Sequence, residues 1–467
     1  MSEATAARVI GVDSSTQSVK VVVRAADSGE LIASASRPHP AGTEVDPAAW
    51  WQALEEAIAD ATNSAGLENV AAISIAGQQH GMVVLDEAGE VIRPALLWND
   101  TRSAAAATAL NTEFSDIHIR VGSKLVASFT ASKLRWLREN EPENAARVRA
   151  VALPHDWLSW KLSQSSDLST LFTDRSDASG TGYFNSVTNC YDMEIFEAAL
   201  GHRNVVLPRV LAPNEAGFDN GKIKIAPGAG DNAGGAFGVG ARVGDLVISL
   251  GTSGTAFVVS DTPTADTSGE VAGFADATGN YLPLACTLNA AKIFDTTAKL
   301  LNISFDQFSE LALSAAPGAA GLTFLPHFDG ERTPDRPHAR GSISGANNEN
   351  FTPANLARAA VEGVVGSMAY ATEALKKLGV GFNRVIAIGG GSRNPAVQQV
   401  LTEIFESDIY VPAIGEYVAD GAARQAAWVL FGTTTPPQWN NSELSVVKMT
   451  QRAPEVRERY IRAISAI

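Results

Sequence analysis

"VIGVDSSTQSVKVVV", residues 9–23, and "VISLGTSGTAFVVS", residues 247–260, share one pattern. Each is an apolar run, a short turn rich in Ser, Thr and Gly, and a second apolar run. In the first stretch the runs predict strands at 9–12 and 19–23 around the turn at 13–18. Small residues let backbone N–H groups approach an anion, and hydroxyls add donors, which is the chemistry of a phosphate cradle. One such turn alone is as a rule only a hairpin turn. Two copies point to two related halves that face one ligand. Only the first carries a carboxylate, Asp13. Beside bound phosphates a carboxylate is repelled unless a cation lies between, so Asp13 points to a Mg²⁺–nucleotide site.

Outward from the first stretch, "GELIASAS" (29–36) predicts a third strand. "DPAAWWQALEEAIADATNSAG" (46–66) predicts a helix with Asp46 at its N-cap, Pro47 in its first turn and Gly66 at its end. "VAAISIAG" (70–77) reads as a buried strand, so the half is α/β. Residues 100–225 are more helical and less regular. "ASKLRWLREN" (131–140) has the helical spacing of Leu134 and Leu137, and "VRAVALPHDWLSWKLS" (148–163) starts as strand and ends as helix. After "GAGDNAGGAFGVG" (228–240) the pattern restarts. Residues 352–379 predict a long amphipathic helix with small residues at Ala359, Gly363 and Gly366. Residues 384–405 read as a strand, three glycines, and a helix beginning at Asn394-Pro395. The expected organisation is an N-terminal domain, 1–240, a C-terminal domain, 241–467, and a ligand cleft between them.

Composition narrows the partners. A chain of 467 residues with a net charge of −15 argues against nucleic acid or an anionic membrane as main partner. Cys190 and Cys286 are the two cysteines, too few for a disulfide scaffold or a cysteine zinc site. The start has no apolar run of signal length, and no run of 18 apolar residues occurs, so a cytoplasmic protein is expected.

Three further stretches carry chemistry. "IGGGSRNPA" (388–396) places three glycines between a strand and a helix N-terminus, where a flat or anionic ligand can lie on bare backbone. Neither a G-x-x-x-x-G-K-[ST] motif nor G-x-G-x-x-G at the opening turn is present, which excludes a P-loop and weakens a dinucleotide reading. In "GAGDNAGG", Asp231 reads as a helix N-cap, or, at the join of the halves, as a base for a hydroxyl that attacks a γ-phosphate. In residues 76–102, Gln78, Gln79, His80, Trp98, Asn99, Asp100 and Arg102 supply amides, an imidazole and an indole suited to a polyol. Core packing for Trp98 and a surface ion pair for Asp100 and Arg102 are the plainer alternatives. The histidine spacings show no zinc motif.

These stretches resemble the FGGY carbohydrate kinases almost end to end. "GVDSSTQSVK" resembles the family's first phosphate motif, with Ser15 where glycine is usual, and "SLGTSG" the second. "SFTASKLRWLREN" (128–140) and "GSISGANNENFTPANLARAAVEG" (341–363) resemble its two signatures, "GDNAGG" its catalytic-base motif and "IGGGSRNP" its adenosine motif. Within the family, "GQQHGMVVLD", "LLWNDTR" and "FLPHFDGERTP" are most similar to the xylulose kinases, in which a Met usually stands at the position of Gln79. The resemblance implies two actin-like (ribonuclease H-like) domains closing on ATP, Mg²⁺ and a ketopentose, D-xylulose, with ribulose, fuculose, gluconate or glycerol as alternative acceptors. It implies Asp231 as general base and Asp13 as metal residue. Gln79, His80, Asp231 and Asn232 would bind the sugar. Thr16, Lys20, Gly251 and Thr252 would contact phosphates, and Gly390, Gly391 and Asn394 the adenosine. A homodimer is common in the family. Arg332 and Thr333 lie in a family loop without an assigned role. The rival from another class is a non-catalytic actin-like ATPase module.

Overall fold

In the computed structural model, which describes residues 7–65, 69–439 and 444–466, both quoted stretches form antiparallel hairpins. β1 (Arg8–Ser14) pairs with β2 (Ser18–Ala25), which sets Asp13 opposite Lys20. β3 (Leu31–Pro38) extends this meander. α1 (Pro47–Ala65) crosses over to β4 (Val70–Gly77), which lies parallel to β1. Asp46 caps α1 as expected, its Oδ1 accepting from the Ala48 N–H at 2.9 Å. The Gly66 stop lies outside the described residues. Short strands at Phe218–Asp219, Lys224–Ile225 and Ala229–Gly230 complete a seven-stranded sheet.

α2 (Asp231–Gly238) leaves that sheet. A second seven-stranded sheet then repeats the plan. β5 (Asp245–Leu250) and β6 (Gly254–Val258) form the hairpin, and β7 (Ala272–Ala275) and β8 (Tyr281–Thr287) continue it. The long helix α3 (Pro353–Lys377) leads to β9 (Arg384–Ile388), parallel to β5. α4 (Pro395–Phe405), β10 (Ile409–Pro412), α5 (Tyr417–Phe431) and β11 (Leu444–Val447) follow. The small residues of α3 serve packing. A Cβ on Gly363 would lie 2.3 Å from the Phe324 carbonyl, and one on Gly366 2.8 Å from the Tyr460 ring.

The halves are locked by a helix that chain order alone would assign to the second. α5 packs on β1, β4 and α2 of the first. The contact is backbone on backbone: a Cβ on Gly11 would meet the Ala419 carbonyl at 2.0 Å, and one on Gly421 the Gly234 carbonyl at 1.9 Å. Polar groups buried there are satisfied, as they must be away from water. Gln425 Oε1 accepts from Ser74 Oγ and the Gly228 N–H, its Nε2 donates to the Gly228 carbonyl, and Arg24 pairs with Asp420 at 2.6 Å. Among the described residues no helix is long and apolar enough to cross a membrane.

Candidate active site

Both hydroxyl-rich turns open on one cleft of about 980 Å³, lined by Asp13, Thr16 and Lys20 from the first hairpin and by Gly251 and Thr252 from the second. A smaller cavity of about 260 Å³ adjoins it, lined by Gln79, His80, Trp98, Asp231 and Asn232 and walled by the second half. Thr16, Trp98, Gly251 and Arg332 line both spaces. The smaller volume suits a small polyol, and the larger open cleft a longer ligand.

Asp231 is not the N-cap of α2. Gly230 takes that position, with φ −65° and ψ 149°, and Asp231 is the first helical residue. Its Oδ1 accepts from the Asn232 backbone N–H at 2.7 Å and from Asn232 Nδ2 at 2.9 Å. Its Oδ2 has no hydrogen-bond partner among the described residues. One oxygen is therefore held and the other left for a ligand. Burial, and then the nearby Asp13 charge, push the Asp231 carboxyl up to about 7. Burial pushes Asp13 up to about 6, against the Ser15 hydroxyl and Lys20, which favour its charge.

The sugar-side residues are fixed from behind. His80 has φ 68° and stacks obliquely on Phe129 and Phe274. Burial, with the Lys133 charge beside it, lowers its pKa to about 3, so the ring is neutral. Its Nδ1 lies 2.6 Å from the Gly180 carbonyl, which can only accept; Nδ1 therefore carries the proton and Nε2 is an acceptor. Lys133, wholly buried in the Thr130–Asn140 helix, donates to the His80 carbonyl at 2.8 Å, and burial lowers its pKa to about 7. Gln79 Nε2 donates to the Ser176 carbonyl at 3.1 Å. Ser176 Oγ accepts from the Gly230 N–H at 2.9 Å, so one residue steadies both Gln79 and the entry to Asp231.

Other expected residues sit differently. Lys20 does reach the cleft, but its Nζ pairs with Glu416 of the second half at 2.6 Å. Gly390, Gly391 and Asn394 line neither space. Gly390 is open, with nothing within 4 Å of a Cβ placed there, whereas Gly391 is packed on Leu250 and Ala291. Asn394 is buried as the N-cap of α4, its Oδ1 accepting from Ser309 Oγ and the Ala396 N–H. Trp98 is half-buried at the junction of the two spaces instead of packed in a core. Asp100 does pair with Arg102, at 2.9 Å, but Asp100 itself is buried.

Sequence reading missed the second-half wall, Thr255, Phe274 and Cys286. Thr255 lies on β6, just past the second hydroxyl-rich turn, and Phe274 and Cys286 lie on β7 and β8, apolar strands without a motif. It also missed a buried group behind the site. His155 Nε2 lies 3.1 Å from Asp177, 3.4 Å from Asp156 and 3.5 Å from Asp174. No histidine spacing signals it, because its four members come as two pairs from separate segments, His155 with Asp156 and Asp174 with Asp177. The carboxylates hold His155 above its usual pKa despite burial.

Residues 8–238 match the model of the FGGY family of carbohydrate kinases, N-terminal domain, and residues 246–430 that of its C-terminal domain. The chain belongs to the FGGY family of carbohydrate kinases. It is thus a phosphotransferase built from two actin-like α/β domains, and the non-catalytic alternative is set aside. The chain is 41% identical to the xylulose kinase of Streptomyces coelicolor, over all of its own length and 97% of the relative's. The crystal structure of the xylulose kinase from Bifidobacterium adolescentis superposes with a TM-score of 0.90 at 43% identity, covering 98% of this chain and 99% of that one. The glycerol kinase of Plasmodium falciparum shares the fold, with a TM-score of 0.85 at 19% identity over 99% of this chain and 97% of that one.

Proposed function

We propose that this FGGY kinase transfers the γ-phosphoryl group of ATP to D-xylulose, giving ADP and D-xylulose 5-phosphate. The observation that carries the reading is Asp231, a carboxylate with one oxygen unengaged in the wall of a small polar cavity that adjoins the phosphate cleft. The sugar follows from full-length relatives at 41% and 43% identity, both xylulose kinases.

In this reading Gln79, His80, Asp231 and Asn232 hold the sugar. His80 Nε2 accepts from a hydroxyl, and Asp231 takes the proton from the terminal hydroxyl as it attacks. Thr16, Lys20, Gly251 and Thr252 hold the phosphates. Gly390 offers bare backbone to the adenosine, while Gly391, packed on Leu250 and Ala291, and Asn394, which caps α4, shape that surface. Closing the halves aligns donor and acceptor and excludes water. Asp13 fits a Mg²⁺ residue: it is a hard oxygen donor on the cleft, and burial leaves its charge uncompensated by a full ion pair. When bound, the cation would supply neutralisation of phosphate charge.

We also place the division between a sugar-binding N-terminal domain and a nucleotide-binding C-terminal domain at 240/241, supported by the change of sheet between Gly230 and Asp245. Cytoplasmic residence is proposed with it, supported by two unpaired cysteines and the need for ATP. The residues proposed for the site all come from one chain, and a homodimer is proposed on the family resemblance.

Two measurements check this reading. In a panel of D-xylulose, D- and L-ribulose, L-fuculose, gluconate and glycerol, D-xylulose is expected to give the highest kcat/KM for ADP release. Selection of another sugar would move the substrate and point to Gln79. Second, kcat/KM is expected to fall on acidification below pH about 7, as Asp231 is protonated. A flat profile between pH 5 and 8 would remove Asp231 as base.

A further inference from the structure

Trp98 stands where the two spaces meet, and its contacts run in one direction. Its Nε1–H, which can only donate, gives a 2.8 Å hydrogen bond to Thr16 Oγ1 in the first phosphate turn. That leaves the Thr16 hydroxyl proton to point elsewhere, and it goes to Gln78 Oε1 over a long 3.4 Å. A contact of that length is weak and easily exchanged for a better acceptor. Gln78 is buried and its Nε2 has no hydrogen-bond partner. The chain of contacts is therefore incomplete, and it ends one residue from Gln79 in the sugar cavity.

We propose that Trp98 is a positioning residue that couples the two substrates. A polyol against the indole fixes the ring. The fixed N–H then aims the Thr16 hydroxyl at the nucleotide phosphates, in exchange for its weak contact with Gln78. Linkage makes the effect reciprocal: bound sugar tightens the nucleotide, and bound nucleotide tightens the sugar, by the same factor. The structural path is two side chains long, with no rearrangement of either sheet. The device favours ATP binding productively only when an acceptor is present. It rests on the proposal that the sugar occupies the smaller cavity and the nucleotide tail the cleft.

The test is calorimetric titration of full-length enzyme with a non-hydrolysable ATP analogue and Mg²⁺, with and without saturating D-xylulose. Wild-type enzyme, Trp98→Phe, Thr16→Val and the double variant are compared. In wild type, sugar is expected to lower the analogue Kd by about 2- to 10-fold, the worth of one hydrogen bond. Trp98→Phe keeps a ring face but lacks the N–H, and Thr16→Val lacks the acceptor. In each the ratio is expected to fall close to one, and in the double variant no further. A bond that only braces the turn would weaken the analogue equally with and without sugar. An unchanged ratio in both single variants would therefore overturn the coupling. So would a wild-type ratio of one, and sugar-dependent ADP release from ATP by the same enzyme preparation, assayed without the analogue, would then show that the kinase reading survives.

Discussion

Asp231→Asn is expected to lower kcat by roughly 10²- to 10⁴-fold, the scale on which a positioned base acts, with a much smaller change in the sugar KM. Asparagine keeps the volume and can accept from Asn232, but it cannot take a proton. The loss belongs in kcat because the proton moves only as the hydroxyl attacks. The same variant should report on stability, with a definite sign. The folded protein holds the Asp231 proton up to about pH 7, well above the ordinary carboxyl value. That tighter hold favours the folded state at low pH, and the advantage is lost as pH rises through about 7. Above 7 the ionised group is a burden that asparagine removes. Asp231→Asn is therefore expected to be more stable than wild type at pH 8, by ~1–2 kcal/mol once water in the cavity is allowed for. Its gain relative to wild type should shrink toward pH 4. Thermal denaturation at the two pH values checks this. A variant with near-normal kcat would remove Asp231 from the chemistry.

Gly421→Ala is expected to destabilise the protein by about 3 kcal/mol or more, although alanine is ordinarily the better helix former by ~1 kcal/mol. The added Cβ would stand 1.9 Å from the Gly234 carbonyl, and neither backbone can yield as a flexible side chain would. Gly234 lies in α2, three residues after Asp231, so a forced shift there moves the base as well. Activity is expected to fall further than the folded fraction does. Denaturant unfolding paired with kcat on the folded fraction checks both parts. A variant as stable as wild type would mean that the α2–α5 contact is looser than the geometry requires.

How much of this was legible in the sequence depended on how local the cause was. The β1–β2 and β5–β6 hairpins and helix α1 were readable because apolar periodicity and caps are local signals. Lys133 was not, since a lysine within a helical pattern reads as solvated, and only the fold buries it under the His80 loop. The docking of α5 was equally hidden. "YVADGAARQAAWVLF" is rich in small residues around most of its circumference, and nothing in it selects the first sheet over the second. Asp231 and Asn394 show the limit in miniature. Both are polar residues at helix starts, where capping and ligand binding use the same residue types. One residue of offset frees the Asp231 Oδ2, while the Asn394 Oδ1 is spent on its helix and on Ser309, and its buried Nδ2 is left without a partner. Thr255, Phe274 and Cys286 reach the cavity only because the second sheet faces it.

The most direct measurement is ³¹P NMR of the enzyme with ATP and Mg²⁺, before and after addition of D-xylulose. Little change is expected without sugar. With sugar, ADP and a phosphomonoester on the terminal carbon are expected in equal amounts, with little free phosphate. Release of inorganic phosphate at the same rate with and without sugar would contradict this.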